Sequence, residues 1–270
     1  MTHAQYAQCA QCAPNTSAPS AKVALVTGAA KRLGRHIAIA MAQRGWDVVV
    51  HYHQSEADAQ VTQESIQALG RRAMPLCCDL ADATSVAQMV PQIIAYFGRL
   101  DCVVNNASLF DYDNAQAFSV ANLDAHMHIN LAAPLILAQA LHQVTAHGQQ
   151  AVVVNLLDQK LFNMNPDYLS YTLSKAGLQA ATVMLAQALA PKVRVVGVAP
   201  GLTLISTKQT QAEFETAHQM TPLGRSSTPD DISNTVCFLA ESPGVTGTTL
   251  LVDGGQHLLP LARDVVFVAK

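Results

Sequence analysis

From Ala21 onward the chain alternates short β-branched runs with longer amphipathic stretches, and that alternation admits few architectures. The runs are VALVTG (23–28), DVVVHYH (47–53), AMPLCCDL (73–80), DCVVNNA (101–107), AVVVNLL (151–157), VRVVGVAP (193–200) and TLLVDG (249–254), with helical periodicity between most successive pairs. Strands that are apolar along nearly their whole length are buried on both faces, and the helical crossovers supply the cover. The expected fold is α/β, a single doubly wound parallel sheet of about seven strands with helices on both faces. Ligands in such sheets bind beyond the strand carboxyl ends, where the strand order reverses. The motifs that carry chemistry in this chain sit at those ends.

A chain of 270 residues, 50% hydrophobic and only 13% charged, buries a large core, and no long linker divides it, so 21–270 is expected to be one domain. A net charge of −3 without basic runs argues against nucleic-acid and anionic-membrane partners and leaves small-molecule chemistry. Six cysteines, Cys9, Cys12, Cys77, Cys78, Cys102 and Cys237, are scattered rather than arranged as a disulfide framework, which suits a reducing cytosol and a cytoplasmic protein. Residues 1–20, rich in Ala, Gln, Ser and Pro, lack a basic start and an apolar core, so a disordered tail is expected there rather than a signal or a membrane span. Its lone CxxC, Cys9 to Cys12, has no second pair to complete a metal site.

The first turn, Thr27-Gly28-Ala29-Ala30-Lys31-Arg32-Leu33-Gly34, lies between the first strand and a helix expected to begin near Arg32. Small residues let the backbone approach a pyrophosphate, and a helix N-terminus supplies free N–H groups and partial positive charge. The string departs from GxGxxG, carrying Arg32 where a glycine would be expected, and it also fits an ordinary strand-to-helix turn. At the end of the second strand, where an acid would bind the ribose hydroxyls of NAD, stand His51, Tyr52, His53, Gln54 and Ser55, with no carboxylate before Glu56. That absence, with Arg32 and the neighbouring His and Ser donors, favours the 2′-phosphate of NADPH. His51 and His53 share one strand face by spacing and are alternatively metal ligands. Asp79 suits either an adenine edge or a helix cap. Asn105, Asn106, Ala107 and Ser108 border the same crevice or form a plain turn, and Phe110 offers either an aromatic platform or a filler for a core gap.

Tyr171 and Lys175 stand four apart, so on a helix they share a face, and Asp158 precedes Tyr171 by thirteen residues. An ammonium beside the phenol would favour its ionised form and make a group of pKa near ~10 a usable proton donor. For Asp158 a helix cap or an ion pair with Lys160 is the plainer alternative.

Taken in order, 27–34, 105–107, Asn130, Tyr171 with Lys175, Pro200-Gly201 and Val252-Asp253-Gly254-Gly255 resemble the short-chain dehydrogenase/reductase family over essentially the whole chain from about residue 21. Arg32, Asp158 in place of a serine, the 51–55 string and Phe110 narrow the likeness to pteridine reductases and the related dihydromonapterin reductases, although the arginine expected after the second basic residue of that strand is Gln54 here. The resemblance implies a Rossmann-type reductase using NADPH. Its cofactor contacts would be Gly28, Lys31, Arg32, Leu33, Gly34, His51, His53, Gln54, Ser55, Asp79, Leu80, Asn106, Ala107, Ser108, Tyr171, Lys175, Pro200, Gly201 and Thr203. Catalysis would fall to Tyr171, Lys175 and Asp158, with Asn130 holding a relay water, and a pterin or folate-like substrate would meet Arg32, Ser108, Phe110, Asp158 and Tyr171. No metal is implied. A neutral serine suits a developing alkoxide, whereas an acid at 158 suits protonation of a C=N nitrogen. Reduction of another carbonyl, quinone or imine, and a silent NADP(H)-binding sensor, are the alternatives.

The stretch 202–221 has few strong apolar positions and is expected to be a substrate loop or lid rather than an ordinary surface loop. The tail after Gly255, HLLPLARDVVFVAK, is too apolar to hang in water and is expected to pack on its own subunit or a neighbour's. The helix around AGLQAATVMLAQALA is apolar nearly all round, which points to a homodimer or homotetramer.

Overall fold

In the computed structural model the seven apolar runs become seven strands, β1 (Val23–Val26), β2 (Asp47–Tyr52), β3 (Ala73–Cys77), β4 (Cys102–Asn105), β5 (Ala151–Leu156), β6 (Val193–Pro200) and β7 (Thr249–Val252). All pair in parallel, in the order β3-β2-β1-β4-β5-β6-β7. The helices are α1 (Arg32–Gln43), α2 (Glu56–Ala68), α3 (Ala83–Phe97), α4 (Val120–Met127), α5 (Ala133–Val144), α6 (Leu169–Ala188), α7 (Gln211–Gln219), α8 (Pro229–Glu241) and α9 (Val265–Val268). A π-helical turn, His128–Ala132, joins α4 to α5. The structure describes residues 21–205 and 210–268. The expected tail 1–20, with Cys9 and Cys12, and the middle of the expected lid, 206–209, lie outside the described residues.

Period-two alternation sorts each strand into two cores. Ala24, Val26, Val48, Val50 and Val104 pack with Ile37, Met41, Ile66, Ile232 and Val236 from α1, α2 and α8. Val23, Leu25, Val49 and Val103 pack with Met89, Ile93, Leu137 and Leu141 from α3 and α5. Each such fully buried side chain stabilises the fold by roughly 1.5–3 kcal/mol. The order reverses at β1, whose neighbours are β2 and β4, so the crossovers leave the sheet on opposite faces and open a crevice at the carboxyl ends of β1 and β4.

Several expected runs extend beyond the strands formed, and the surplus is at the carboxyl end. VALVTG ends as a strand at Val26, AMPLCCDL at Cys77 and DCVVNNA at Asn105. Gly28 turns to φ +62°, where a glycine carries no Cβ penalty. The Thr27 hydroxyl instead receives the N–H groups of Asn106 (2.9 Å) and Ala107 (3.0 Å), stitching the end of β1 to the loop after β4. Residues that leave the ladder here are the ones available to a ligand. Among the described residues no helix is long and apolar enough to cross a membrane.

Candidate active site

The turn after β1 is built for close approach. A Cβ on Gly34 would fall 2.1 Å from the Gly28 carbonyl oxygen, so α1 packs on the turn only because residue 34 is glycine. Arg32 opens α1 at φ +52°, a left-handed conformation that costs a side-chain-bearing residue ~1–2 kcal/mol. Its guanidinium donates to the Ile205 carbonyl at 2.8 Å and ties the segment after β6 to the turn. Lys31, the N-cap of α1, makes no side-chain cap bond, so the capping role is left to whatever anion approaches the helix end.

His51 does not face the ligand side of this turn, which corrects its expected role as a phosphate contact. It is 2% exposed; Nδ1 receives the Gly28 N–H at 2.9 Å and Nε2 donates to the Cys78 carbonyl at 3.1 Å. Burial pushes its imidazole down from 6.5 to about 4, so the ring is neutral and both nitrogens are committed to backbone. That arrangement also removes it as a metal ligand, and among the described residues no group of three His, Cys, Asp or Glu side chains is placed to hold a metal ion. β2 ends at Tyr52, so His53 departs from the strand face that holds His51. His53, Gln54 and Ser55 line the exposed to half-buried rim instead, with His53 Nε2 3.9 Å from Asp79 Oδ2. Asp79 is not the helix cap of the alternative reading: Asp82 caps α3, and Asp79 receives the N–H of Ala81 in the preceding turn.

Two adjoining cavities meet at Tyr171. One, about 230 Å³, is walled by Arg32, Leu33, Asn106, Ser108, Leu156, Leu157, Asp158, Tyr171, Lys175, Pro200, Gly201, Thr203 and Leu204. The other, about 260 Å³, shares Arg32, Asp158, Tyr171, Gly201, Thr203 and Leu204 and adds Phe110, Gln159, Leu202, Gln256, Asp264, Val265 and Val266. Their residues fit a dinucleotide and its substrate: an uncapped helix end and small residues at one side, a lysine and a tyrosine at the junction. Of the expected cofactor contacts, Gly28, Lys31, Gly34, His51, His53, Gln54, Ser55, Asp79, Leu80 and Ala107 are outside both linings, and Gln159, Gln256 and the C-terminal 264–266 are wall residues the sequence did not single out. Only 264–266 carried a signal there, the excess apolarity of the tail.

At the junction Tyr171 Oη donates to Asp158 Oδ2 at 2.8 Å, while Asp158 Oδ1 receives the Lys160 N–H at 2.8 Å. Both alternatives for Asp158 are thereby resolved: it does cap a short turn, yet its second oxygen holds the tyrosine, and the Lys160 ammonium pairs with Asp264 at 3.1 Å instead. Burial raises the Asp158 pKa, and burial followed by the Asp158 charge raises that of Tyr171 well above 10. The expected easing of Tyr171 ionisation by Lys175 is therefore absent. Lys175 Nζ donates to the Leu156 carbonyl at 2.7 Å and lies 5.8 Å from the tyrosine ring centroid, and burial pushes it down from 10.5 to about 8.

The Asn130 side chain is spent on structure. It receives the Leu109 N–H at 2.8 Å and donates to the Leu109 carbonyl and the Ser174 hydroxyl, both at 3.0 Å, fixing the 108–110 loop to α6. Any relay water would have to use its carbonyl, to which Pro134 offers no N–H at i+4. Phe110 stacks on Tyr168 (4.3 Å, 13°) and meets the edge of Tyr171 (4.6 Å), and its side chain borders the larger of the two cavities.

The chain is similar to known reductases and dehydrogenases over most of its length. Residues 28–257 match the family described as enoyl-(acyl carrier protein) reductase. The chain is similar to the crystal structure of FolM alternative dihydrofolate reductase 1 from Brucella canis complexed with NADP, at 36% identity and TM-score 0.86, over 91% of this chain and 97% of that one. Among curated relatives, 3-oxoacyl-[acyl-carrier-protein] reductase of Synechocystis sp. is 32% identical (89% of this chain, 98% of the relative). The 2-dehydro-3-deoxy-D-gluconate 5-dehydrogenase of Dickeya dadantii is 31% identical (89% and 97%).

Two outcomes follow from the turn. Unfolded His51 binds a proton near 6.5 and folded His51 near 4, so its contribution to stability is complete above 6.5 and falls as pH drops toward 4, by about 3 kcal/mol in all. Urea titrations across pH 7.5 to 4.5 are expected to show that loss, and His51→Gln, which does not titrate, to flatten it. Arg32→Gly is expected to change unfolding free energy by less than about 1 kcal/mol, since relief of the left-handed conformation offsets glycine's entropy. The same variant should raise KM, which steady-state kinetics on the denaturation-tested sample would read.

Proposed function

The chain belongs to the short-chain dehydrogenase/reductase family, and we propose that within it the chain is an NADPH-dependent reductase of a pterin-type C=N bond, taking a dihydropterin or dihydrofolate to its tetrahydro form. The observation that carries this reading is the hydrogen bond between Tyr171 and Asp158. Burial raises the pKa of both groups, so the pair holds the proton between them, on Tyr171 Oη, more firmly than either group would hold one in water. A ring nitrogen that receives hydride at its neighbouring carbon needs such a proton, whereas an ionised carboxylate would repel the alkoxide formed from a ketone. The NADP complex of the Brucella FolM relative supports both the cofactor and the substrate class.

Bound NADPH supplies the hydride. Arg32 and Lys31, with the N–H groups that open α1, suit its phosphates, and the His53, Gln54 and Ser55 rim suits the 2′-phosphate. Lys175 holds its ammonium at the junction of the two cavities, where it orients the ribose. Tyr171, held by its hydrogen bond to Asp158, delivers the proton and is reprotonated from solvent by way of Lys175, while Asn130, through its backbone carbonyl, offers a position for the water that makes that connection. Phe110, backed by Tyr168, presents a ring against which a planar bicyclic substrate lies, with Arg32 and Ser108 at its polar edge.

Reduction of a carbonyl is the second reading, favoured by the 3-oxoacyl and deoxygluconate relatives. NADPH oxidation at 340 nm with dihydropterins beside ketones separates the two. Asp158→Ser is expected to lower pterin turnover by ~10²-fold or more; an undiminished rate would return Asp158 to a capping role. In the parent enzyme kcat/KM is expected to fall as pH rises through about 8, where Lys175 loses its proton.

A homodimer or homotetramer is part of the same proposal. On the outer face of α6, Leu173, Val183 and Met184 are exposed by 48%, 46% and 68%, a stripe of the kind that subunit contacts cover. Light scattering at micromolar protein should give a multiple of the 28.7 kDa chain, and Met184→Glu should lower that mass; a parent monomer would refute it. The four cysteines at 77, 78, 102 and 237 are free thiols, in keeping with the cytoplasm as the working compartment.

A further inference from the structure

The C-terminal segment 263–268 is tied to the start of α6 by a closed set of charged contacts. Arg263 makes a two-pronged pair with Asp167, Nε to Oδ2 and Nη2 to Oδ1, both at 2.8 Å. The Asp264 N–H adds a third bond to Asp167 Oδ2 at 2.8 Å. Lys160, only 3% exposed, donates to the Asp167 carbonyl at 2.5 Å and to Asp264 Oδ2 at 3.1 Å. A buried lysine is costly unless it is paired, and its carboxylate partner here comes from the C-terminal segment, so undocking that segment would strand the charge. Phe267 completes the attachment, facing Tyr112 (5.5 Å) and Tyr168 (6.2 Å).

The residues so anchored are walls of the larger active-site cavity: Asp264, Val265 and Val266 line it together with Phe110 and Tyr171. Asp264 is already committed, Oδ2 to Lys160 and Oδ1 to the Val266 N–H. What the segment presents is therefore mainly shape, two β-branched side chains with stiff χ1 angles. The volume they leave, about 260 Å³, is below the ~300–1,000 Å³ usual for drug-sized ligands. The clasp also reaches the reacting groups. The N–H of Lys160 orients the carboxyl of Asp158, and Tyr168, next to Asp167, is held at φ +56° immediately before the helix that carries Tyr171, a conformation a tyrosine keeps only when its surroundings enforce it.

We propose that the 263–268 segment is a clasped wall that makes this active site selective for compact substrates, with Arg263, Asp167 and Lys160 as its positioning residues and Val265 and Val266 as the residues that set the size limit. Resting on the pterin reading, it assigns as preferred substrate a dihydropterin with a short polar side chain over one carrying a long aryl-glutamate tail.

The test compares full-length parent, Arg263→Ala, Arg263→Lys and Val265→Ala on dihydrobiopterin and dihydrofolate, with NADPH affinity from fluorescence as the check on folding. The parent is expected to favour dihydrobiopterin in kcat/KM by about 10-fold or more, the range a pocket wall can supply. Arg263→Ala should raise KM for dihydrobiopterin by about 10-fold with a smaller change in kcat and shrink the preference, and Arg263→Lys should recover part of it. Val265→Ala should shift the preference toward dihydrofolate. Equal use of both substrates by the parent, or a preference unmoved by Arg263→Ala and Val265→Ala, overturns the wall. Turnover of neither pterin overturns the reaction assignment alone. The size limit is then read from the same four proteins with a short-chain and a long-chain ketone, where an unmoved preference again defeats it.

Discussion

The short register between β1 and β4, Ala24 to Val26 against Cys102 to Val104, is the constraint on which the rest of the site depends. Because β1 pairs with β2 on one side and β4 on the other, the two chain segments leaving the sheet at this point must diverge. Two polar ties hold the divergence open in a fixed shape. Thr27 gathers the N–H groups of Asn106 and Ala107, and His51 spans the Gly28 N–H and the Cys78 carbonyl. Each gives half-buried backbone groups a fixed partner, so rigidity around the crevice is a consequence of hydrogen-bond satisfaction.

Proton chemistry at the junction follows from the same economy of solvent. Asp158, Tyr171 and Lys175 are close together where water is scarce, and burial dominates the shift of each: upward for the two acids, downward for the lysine. Burial thus brings all three toward their neutral forms. A tyrosine that is hard to ionise is a poor base, yet it is a dependable hydrogen-bond donor that keeps its proton near neutral pH. Serine at position 158 would leave that proton with no carboxyl behind it. Under the proposed C=N reading, the acid is the residue that separates that chemistry from ketone reduction.

The strands, their parallel pairing and the grouping of motifs at one end were legible because β-branched runs and glycine turns are local signals. Asp158 and Arg32 were legible as departures from a pattern, and the structure puts both at the meeting point of the two cavities. His51 was misplaced because spacing i to i+2 assumes the strand continues, and β2 stops at Tyr52, between the two histidines. The effect of Lys175 on Tyr171 was misjudged because i to i+4 spacing predicts proximity but says nothing of the carbonyl of Leu156, from another element, which takes the ammonium instead. Asn130 was visible as a residue and not as a clamp, since its partners, Leu109 and Ser174, lie 21 and 44 residues away.

What no local pattern discloses is that the chain returns to its own active site at the end. An apolar tail announces only that something must cover it. The cover is chosen by charges far apart in sequence, Lys160 with Asp264 and Asp167 with Arg263, separations of 104 and 96 residues. Lys160 sits two residues past Asp158, so the segment that bears the tyrosine's carboxylate partner is also the one that receives the tail. A change in the tail can therefore reach Asp158, and through it Tyr171, by way of a single residue, Lys160.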